Sequence, residues 1–109
     1  MIIREWRGRA APSTADAYPT HFRTSVLPEL LDLPGFLGAH LAKRQFENKI
    51  EFLVLTRWLS IDAIRAFAGS DISKAVVEPG AVAALLDFDT SVQHYEVIEE
   101  AQSAAAPAP

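Results

Sequence analysis

Residues 50–69 of the chain read IEFLVLTRWLSIDAIRAFAG, and this stretch decides the predicted fold. From Ile50 to Trp58 the chain is almost continuously apolar and rich in strand-favouring side chains, which predicts a buried strand. Ser60 can then cap a helix, and Asp62 in the first turn favours the positive end of the helix dipole. Gly69 stands where the residue after a helix belongs. The stretch therefore predicts a strand that leads directly into an amphipathic helix.

Two further strands are predicted upstream. Ile2 to Ala10 alternates roughly between apolar and polar residues, and Phe36 to Phe46 alternates in a similar way. The short polar segment 47–49 separates the second strand from Ile50 to Trp58, so these two strands are expected to form a hairpin.

A helix is predicted between the first and second strands. Four apolar or aromatic residues recur every fourth position and would share one helix face: Tyr18, Phe22, Val26 and Leu30. Pro28 cannot donate its backbone hydrogen bond, so we expect it to kink this helix or to restart it near its end.

The last third of the chain is less regular. A short helical turn is predicted over 70–76, a further helix over Ala81 to Leu86, and a fourth strand over Ser91 to Ile98, where the side chains alternate. Residues 99–109 are rich in alanine and proline and show no apolar period, so we expect a disordered tail after a domain that spans residues 1–98.

The order strand, helix, hairpin, helix, strand predicts an α+β fold. It is the ferredoxin-like split βαβ arrangement, with a four-stranded antiparallel sheet and helices on one face. Leu53 and Leu55 point to the opposite face from Phe52 and Val54. Helices can cover only one of these faces, so we expect a second copy of the sheet to cover the other, which gives a homodimeric α+β barrel.

Composition excludes several classes of protein. The 109 residues suit one domain, and the formal net charge of −4 with a pI near 5.2 argues against nucleic-acid binding. The chain has no cysteine, and its three histidines lack any ligand spacing, so no metal site is expected. Since no apolar run approaches the length of a membrane span or a signal peptide, we expect a cytoplasmic protein that does not bind membranes.

Several short motifs resemble the antibiotic biosynthesis monooxygenase superfamily, whose members are dimeric α+β barrels. The resemblance covers residues 2 to 98. It is carried by the helix from Tyr18 to Leu30, by Leu33-Pro34-Gly35-Phe36, by Thr56-Arg57-Trp58-Leu59-Ser60, by Ala63-Ile64-x-Ala66-Phe67, and by His94-Tyr95-Glu96-Val97 in the last strand.

The resemblance implies two kinds of chemistry. Some members are cofactor-independent oxygenases of electron-rich polycyclic phenols. Others degrade haem with an Asn on the first strand, a Trp at the end of the third and a His on a later helix. Trp58 matches that Trp, but the first strand offers no Asn and the region from Lys74 to Val76 offers no His. Haem degradation is therefore disfavoured, and no cofactor is expected.

Three residues are candidates for catalysis: Trp58, His94 and His40. Trp58 could stack on a flat aromatic substrate, or it could be a core tryptophan that closes one end of the barrel. His94 or His40 could take a proton from a phenol, because the pKa of histidine lies near neutrality. The alternative for each is a half-buried histidine that a neighbouring carboxylate or the main chain satisfies. His21 is expected to be exposed.

The predicted substrate-binding residues are Trp58, Arg4, Trp6 and Tyr95. Arg4 could form the wall of an anion-binding cavity, or it could pair with Glu51 or Glu96 between strands or subunits. Tyr95 could hydrogen-bond a bound phenol or complete the core.

Three functional hypotheses follow from these residues and from the resemblance. The first is a small cofactor-independent monooxygenase acting on a flat, electron-rich aromatic compound. The second is a non-catalytic small-molecule-binding or stress-response dimer of the same fold. The third is a structural dimer without a ligand. The sequence alone leaves all three open.

Overall fold

A computed structural model describes residues 1–105 of the chain. The first half contains strand β1 (Ile2–Ala10), a 3₁₀ turn (Pro12–Thr14), helix α1 (Ala17–His21), a π-helical turn (Phe22–Val26) and helix α2 (Leu27–Leu31). The second half contains strands β2 (Phe36–Phe46) and β3 (Lys49–Trp58), helices α3 (Ile61–Ala68) and α4 (Pro79–Ala84), and the short strands β4 (Asp87–Phe88) and β5 (Gln93–Glu96).

All the strands pair antiparallel in one sheet, in the order β2-β3-β1-β4, and β5 also pairs with β1. Strand β4 lies beside Gly8 and Arg9, whereas β5 lies beside residues 2–5. The two short strands together occupy the place of the fourth strand. The predicted ferredoxin-like α+β fold is therefore confirmed.

The strand bounds follow the predictions closely. Ile2–Ala10 and Phe36–Phe46 are strands over the predicted ranges, and the third strand begins one residue early, at Lys49. This leaves a two-residue turn, in which Glu47 has a φ of 55°. Asn48, the second turn residue, is of a type that favours such turns.

The helix between β1 and β2 is continuous but changes its winding. The backbone N–H of Leu27 bonds to the carbonyl of Phe22, a π-type bond that widens the turn, and Pro28 follows in the first turn of α2. The π-type turn directly precedes Pro28, which cannot donate the backbone hydrogen bond of a regular α-helix. Of the two expected outcomes, a kink or a restart, the structure shows a new α-helical segment that begins at Leu27 without a break in the helical backbone.

Two predictions in the last third are wrong. No helix forms over residues 70–76, and the last strand is shorter than Ser91 to Ile98. The two errors have one cause, because the segment around Ser91 leaves β1 and pairs with the 73–75 segment. Val92 N–H donates to the carbonyl of Ser73 at 2.8 Å, and Ala75 N–H donates to that of Thr90 at 3.0 Å.

The sheet has one covered face and one open face. The helices pack on the covered face, where Phe52, Trp58, Leu30 and Ile64 are fully buried. The sequence pattern predicted a buried strand here. Burial of this apolar surface against the helices is the main stabilising term of such a fold.

The open face carries both charged and apolar side chains. Glu51 is 5% exposed there and accepts hydrogen bonds from Arg44 Nε at 2.7 Å and Arg9 Nη1 at 3.4 Å. Leu53 and Leu55 are half-buried on this face. These two leucines are the apolar surface that the predicted dimer would cover.

Residues 99–105 are exposed and form no helix or strand, whereas 106–109 of the predicted tail lie outside the described residues. Within residues 1–105, every helix is too short or too polar to cross a membrane.

Candidate functional site

A cavity of about 60 Å³ lies between the covered face of the sheet and the helices. Its wall combines polar and apolar side chains from the sheet, from the helices and from the segment before α4. The polar and aromatic members include Arg4, Thr56, Tyr18, His21, Phe67 and Glu78. A mostly apolar hollow with a few convergent polar groups is the usual form of a small-molecule site.

Arg4 is the buried cation of this cavity. Strand pairing places it between Thr56 of β3 and His94 of β5, and its side chain is almost fully covered, with 4% of the residue exposed. Nη1 donates to the carbonyl of Ile72 at 2.6 Å and Nη2 to that of Lys74 at 2.9 Å. Burial lowers the pKa of Arg4 to about 10, but it stays charged at neutral pH.

His94 contacts Arg4 rather than the cavity. Its Nε2 lies 3.0 Å from Arg4 Nη1. A guanidinium can only donate, so this nitrogen accepts and the ring is neutral. Burial, together with the positive charge of Arg4, lowers the pKa of His94. The Nε2 lone pair is thus already in use, and it is not free to take a proton from a ligand.

His21 lines the cavity, so the prediction that it is exposed is wrong. It is half-buried, and its buried Nε2 has no hydrogen-bond partner among residues 1–105. The ring fits closely against Gly80 of α4, where a Cβ atom would lie 2.6 Å from His21 Nδ1. The absence of a side chain at Gly80 therefore makes room for the imidazole.

Tyr18 lies one helical turn before His21, and the two ring centroids are 6.1 Å apart. Its ring also packs on Phe52 at 5.4 Å, which holds it against the sheet. Burial and the negative charge of Glu78 raise the pKa of Tyr18 well above its ordinary value. The phenol therefore stays protonated at neutral pH and is available as a hydrogen-bond donor.

Trp58 lies one layer behind the cavity wall. It is 0% exposed, and its Nε1 donates to Thr56 Oγ1 at 2.8 Å. Its ring stacks on Phe67 at a centroid distance of 5.5 Å. Since Thr56 and Phe67 both line the cavity, Trp58 supports the wall and does not touch the space inside it.

The sequence profile of the antibiotic biosynthesis monooxygenase family matches residues 1–79. The chain belongs to this family. The resemblance inferred from the short motifs is thereby confirmed, and the matched range contains most of the cavity wall. No curated protein matches the chain by sequence search.

Solved structures with this fold include two candidate antibiotic biosynthesis monooxygenases. The protein from Bacillus cereus has 16% identity and a TM-score of 0.66, covering 94% of this chain and 97% of its own. The protein from Caulobacter crescentus CB15 has 19% identity and a TM-score of 0.68, covering 90% of each chain. At these identities the likeness shows the fold.

MhuD of Mycobacterium tuberculosis, a heme-degrader solved with two hemes in its active site, is also similar. It has 19% identity and a TM-score of 0.60, and the match covers 94% of this chain and 100% of that one. The cavity of about 60 Å³ in this family member is far below the ~300–1,000 Å³ of pockets that hold drug-sized ligands. A haem therefore does not fit the cavity as it stands.

The structure brings together only part of the predicted site. Trp6 lines the cavity and donates its Nε1 hydrogen to the carbonyl of Asp89 at 2.7 Å. His40 and Tyr95 lie on the open face, opposite Leu55 and Ile3 respectively, and both are exposed. They cannot reach a ligand held on the covered face of the same chain.

The described part of the chain contains no group of three or more His, Cys, Asp or Glu side chains that could hold a metal ion. Sequence reasoning missed His21 as a cavity residue. Its position three residues after Tyr18, on the same helix face, is the signal that could have found it.

Proposed function

We propose that this family member is a small monooxygenase that acts without a cofactor on an electron-rich aromatic compound. The substrate would bind in the cavity between the sheet and the helices. The observation that carries the proposal is the buried, unpartnered Nε2 of His21 beside Tyr18 in the wall of this cavity. An imidazole nitrogen without a partner is the group best suited to accept a proton near neutral pH.

In the proposed reaction, His21 Nε2 removes a proton from a carbon or phenol of the substrate. The resulting carbanion or phenolate gives up electrons to O₂. For an activated methylene group the overall change is R₂CH₂ + O₂ → R₂C=O + H₂O, which needs no external reductant. One oxygen atom enters the product and the other leaves as water.

Two other residues have supporting roles. Arg4 would stabilise the negative charge that develops on the substrate, and the protonated Tyr18 would donate a hydrogen bond to a substrate oxygen. Trp58 and His94, both predicted as catalytic, act indirectly in this proposal. Trp58 supports Thr56 and Phe67 from behind, and His94 holds the guanidinium of Arg4.

An aromatic ligand needs more room than the cavity offers in this structure. Its volume of about 60 Å³ is less than half of the roughly 150 Å³ of a cavity known to bind benzene. We therefore propose that the wall formed by Val76, Glu78 and Ala81 moves outward when substrate enters. This wall includes the short helix α4 and the irregular segment before it.

We also propose that the protein is a cytoplasmic homodimer whose two sheets face each other. The half-buried leucines Leu53 and Leu55 support this arrangement, because an apolar strip on a sheet face is stabilised when a second layer covers it. Arg7, Arg9 and Arg44 of this face share Glu51 within the chain, so no unpaired charge from that network opposes association.

Oxygen uptake with a panel of anthrone- and quinol-type compounds tests the proposed reaction. We expect His21→Ala to lower kcat at least about 100-fold, the size of effect usual for loss of a general base. His40→Ala is the matched control, since His40 is a histidine of the open face, and its kcat should stay within about twofold of the unmodified chain.

Gly80→Ala provides a second variant that leaves the imidazole unchanged. The added methyl group would overlap the His21 ring and should displace it, so kcat should fall while far-UV circular dichroism is retained. Equal activity of the His21→Ala and His40→Ala variants would contradict the proposed base.

A protein that only binds its ligand is the second candidate. The occupied Nε2 of His94 and the position of Trp58 behind the wall favour it, because neither residue can then take part directly. Saturable quenching of tryptophan fluorescence by an aromatic compound, without oxygen uptake with any member of the panel, would support this candidate.

A further inference from the structure

The hydrogen bonds of Arg4 are incomplete. A guanidinium carries five N–H donors. Three of these donors are used in this structure. Their acceptors are the carbonyls of Ile72 and Lys74 and the Nε2 atom of His94. Two donors are therefore left on a side chain that is almost fully buried and lines the cavity.

The charge of Arg4 is also uncompensated within residues 1–105. No carboxylate of this part of the chain lies within ion-pair distance of its guanidinium. A buried charge without a counter-charge is unfavourable, and the lowered pKa of Arg4 reflects that burial. An anion entering the cavity would supply both the missing acceptors and the missing charge.

Glu78 is the acidic residue of the cavity wall and must be weighed against an anionic ligand. Its negative charge acts on Tyr18, whose pKa it helps to raise, whereas burial is the cause of the shift at Arg4. Glu78 and Arg4 thus act on different parts of the cavity wall. A ligand with its anionic group at only one end suits this arrangement.

We propose that the natural ligand of the cavity is an organic acid whose carboxylate accepts hydrogen bonds from the two remaining N–H groups of Arg4. The rings of Trp6 and Phe67, which also line the cavity, provide apolar surfaces for an aromatic body next to that carboxylate. The inference rests on the site of the proposed function, but it requires no oxygen chemistry.

A matched pair of probes tests the inference on the full chain. Isothermal titration calorimetry under anaerobic conditions at pH 7.5 would compare 4-hydroxybenzoate with 4-hydroxybenzamide, which have the same shape and differ in charge. We expect the acid to bind at least about tenfold more tightly, because charge-assisted hydrogen bonds are the stronger ones. Equal affinities, or no binding of the acid at millimolar concentration, would overturn the proposal.

Variants of Arg4 show whether that side chain causes the preference. Arg4→Gln should abolish the preference for the acid, and Arg4→Lys, which keeps the charge but loses the planar fork, should weaken it at least about fivefold. Arg65→Gln removes the same charge from an exposed position on α3 and should have no effect. A preference of undiminished size in the folded Arg4→Lys protein would also overturn the proposal.

The outcome is separable from that of the proposed oxygenase. Arg4-dependent binding of the acid without oxygen uptake would support the acid-binding inference and contradict the monooxygenase. Oxygen uptake with neutral phenols, without any preference for the acid, would support the monooxygenase and contradict the inference.

Discussion

The arginines on the two faces of strand β1 have different kinds of partner. Arg4 points under the helices, where its partners are two carbonyl groups and a neutral histidine. Arg9 points to the open face, where it pairs with Asp87, Asp89 and Glu51. Strand parity alone separates the two environments, because residues an odd number apart point to opposite faces.

Arg7 and Arg9, the arginines of β1 on the open face, are paired with acids within the chain. The acids come from β3, from β4 and from Asp89 just beyond it, so the arginines of β1 need no external counter-charge. On the covered face the arginine lacks such an acid. The difference agrees with the two proposals, in which a second sheet covers the open face and a ligand binds to the cation of the covered face.

The largest expected effect is on the core of the covered face. Trp58→Ala should lower the free energy of unfolding by about 4 kcal/mol, because it leaves a cavity next to Phe67 and Phe36. Leu55→Ala on the open face should lower it by only about 1 kcal/mol per chain and act mainly through the dimer. Urea denaturation at several protein concentrations measures both.

Sedimentation equilibrium distinguishes the roles of Leu55 and Trp58. If the open face forms the proposed dimer, Leu55→Ala should shift the sedimentation equilibrium toward single chains, whereas Trp58→Ala should cost stability at every concentration. A particle of one-chain mass at micromolar concentration would contradict the dimer and leave Leu53 and Leu55 exposed to water.

An intermediate effect is expected from the charge network of the open face. Burial alone would raise the pKa of Glu51, but hydrogen bonds and charges from Arg44, Arg9 and Arg7 outweigh it and hold the pKa below its ordinary value. Glu51→Gln should therefore lower the free energy of unfolding by about 2 kcal/mol, since three arginines lose their common partner. Thermal and urea unfolding at pH 7 measure the loss.

Glu47→Gln is the matched control for that variant. It makes the same change at an exposed turn position and should alter stability by less than about 0.5 kcal/mol. Similar losses in the two variants would show that the network of the open face adds nothing specific.

The smallest expected effect is the contribution of His94 to the pH dependence of the free energy of unfolding. Its pKa in the folded chain is lowered below the ordinary 6.5, so the unfolded chain binds the extra proton first as the pH falls. The contribution of His94 is thus present above pH 6.5 and is lost as the pH falls below that value. Stability should decline more steeply between pH 7 and 5 than in His94→Gln.

The glutamine variant keeps an acceptor for Arg4 but cannot titrate, so it isolates the histidine. Carboxylates with lowered pKa values, such as Glu51 and Asp87, lose their contribution only below about pH 4.5, outside this window. Parallel pH profiles for the two proteins would contradict the assigned contact between His94 and Arg4.

Much of the fold could be predicted because its signals are local. The alternation in Ile2–Ala10 and Phe36–Phe46, the cap at Ser60 and the restart at Pro28 all depend on nearby residues. The segment around Ser91 could not be predicted in the same way. Its backbone pairs with residues 73–75, and a local pattern cannot show which of two distant partners wins.

The candidate site was predicted less well, for a related reason. Arg4 and Trp6 do line the cavity, but His40 and Tyr95 depend on a register that places them on the open face. The environment of His21 depends on Gly80, almost sixty residues away in the chain. Residue type indicated which side chains could act, while the tertiary contacts decided which of them meet.

The winding of the first helical segment has a consequence for the shape of the cavity. In a regular α-helix each step of four residues overshoots a full turn by about 40°, so Tyr18 and Leu30 would differ by about 120° in direction. The wider turn at Phe22–Val26 absorbs one residue and cancels most of this drift, and both residues line the same cavity. Removing one residue from that turn would rotate Tyr18 and His21 about the helix axis by about 100° relative to Leu30. The phase of the backbone, as much as the choice of side chains, thus keeps the proposed base and donor facing inward.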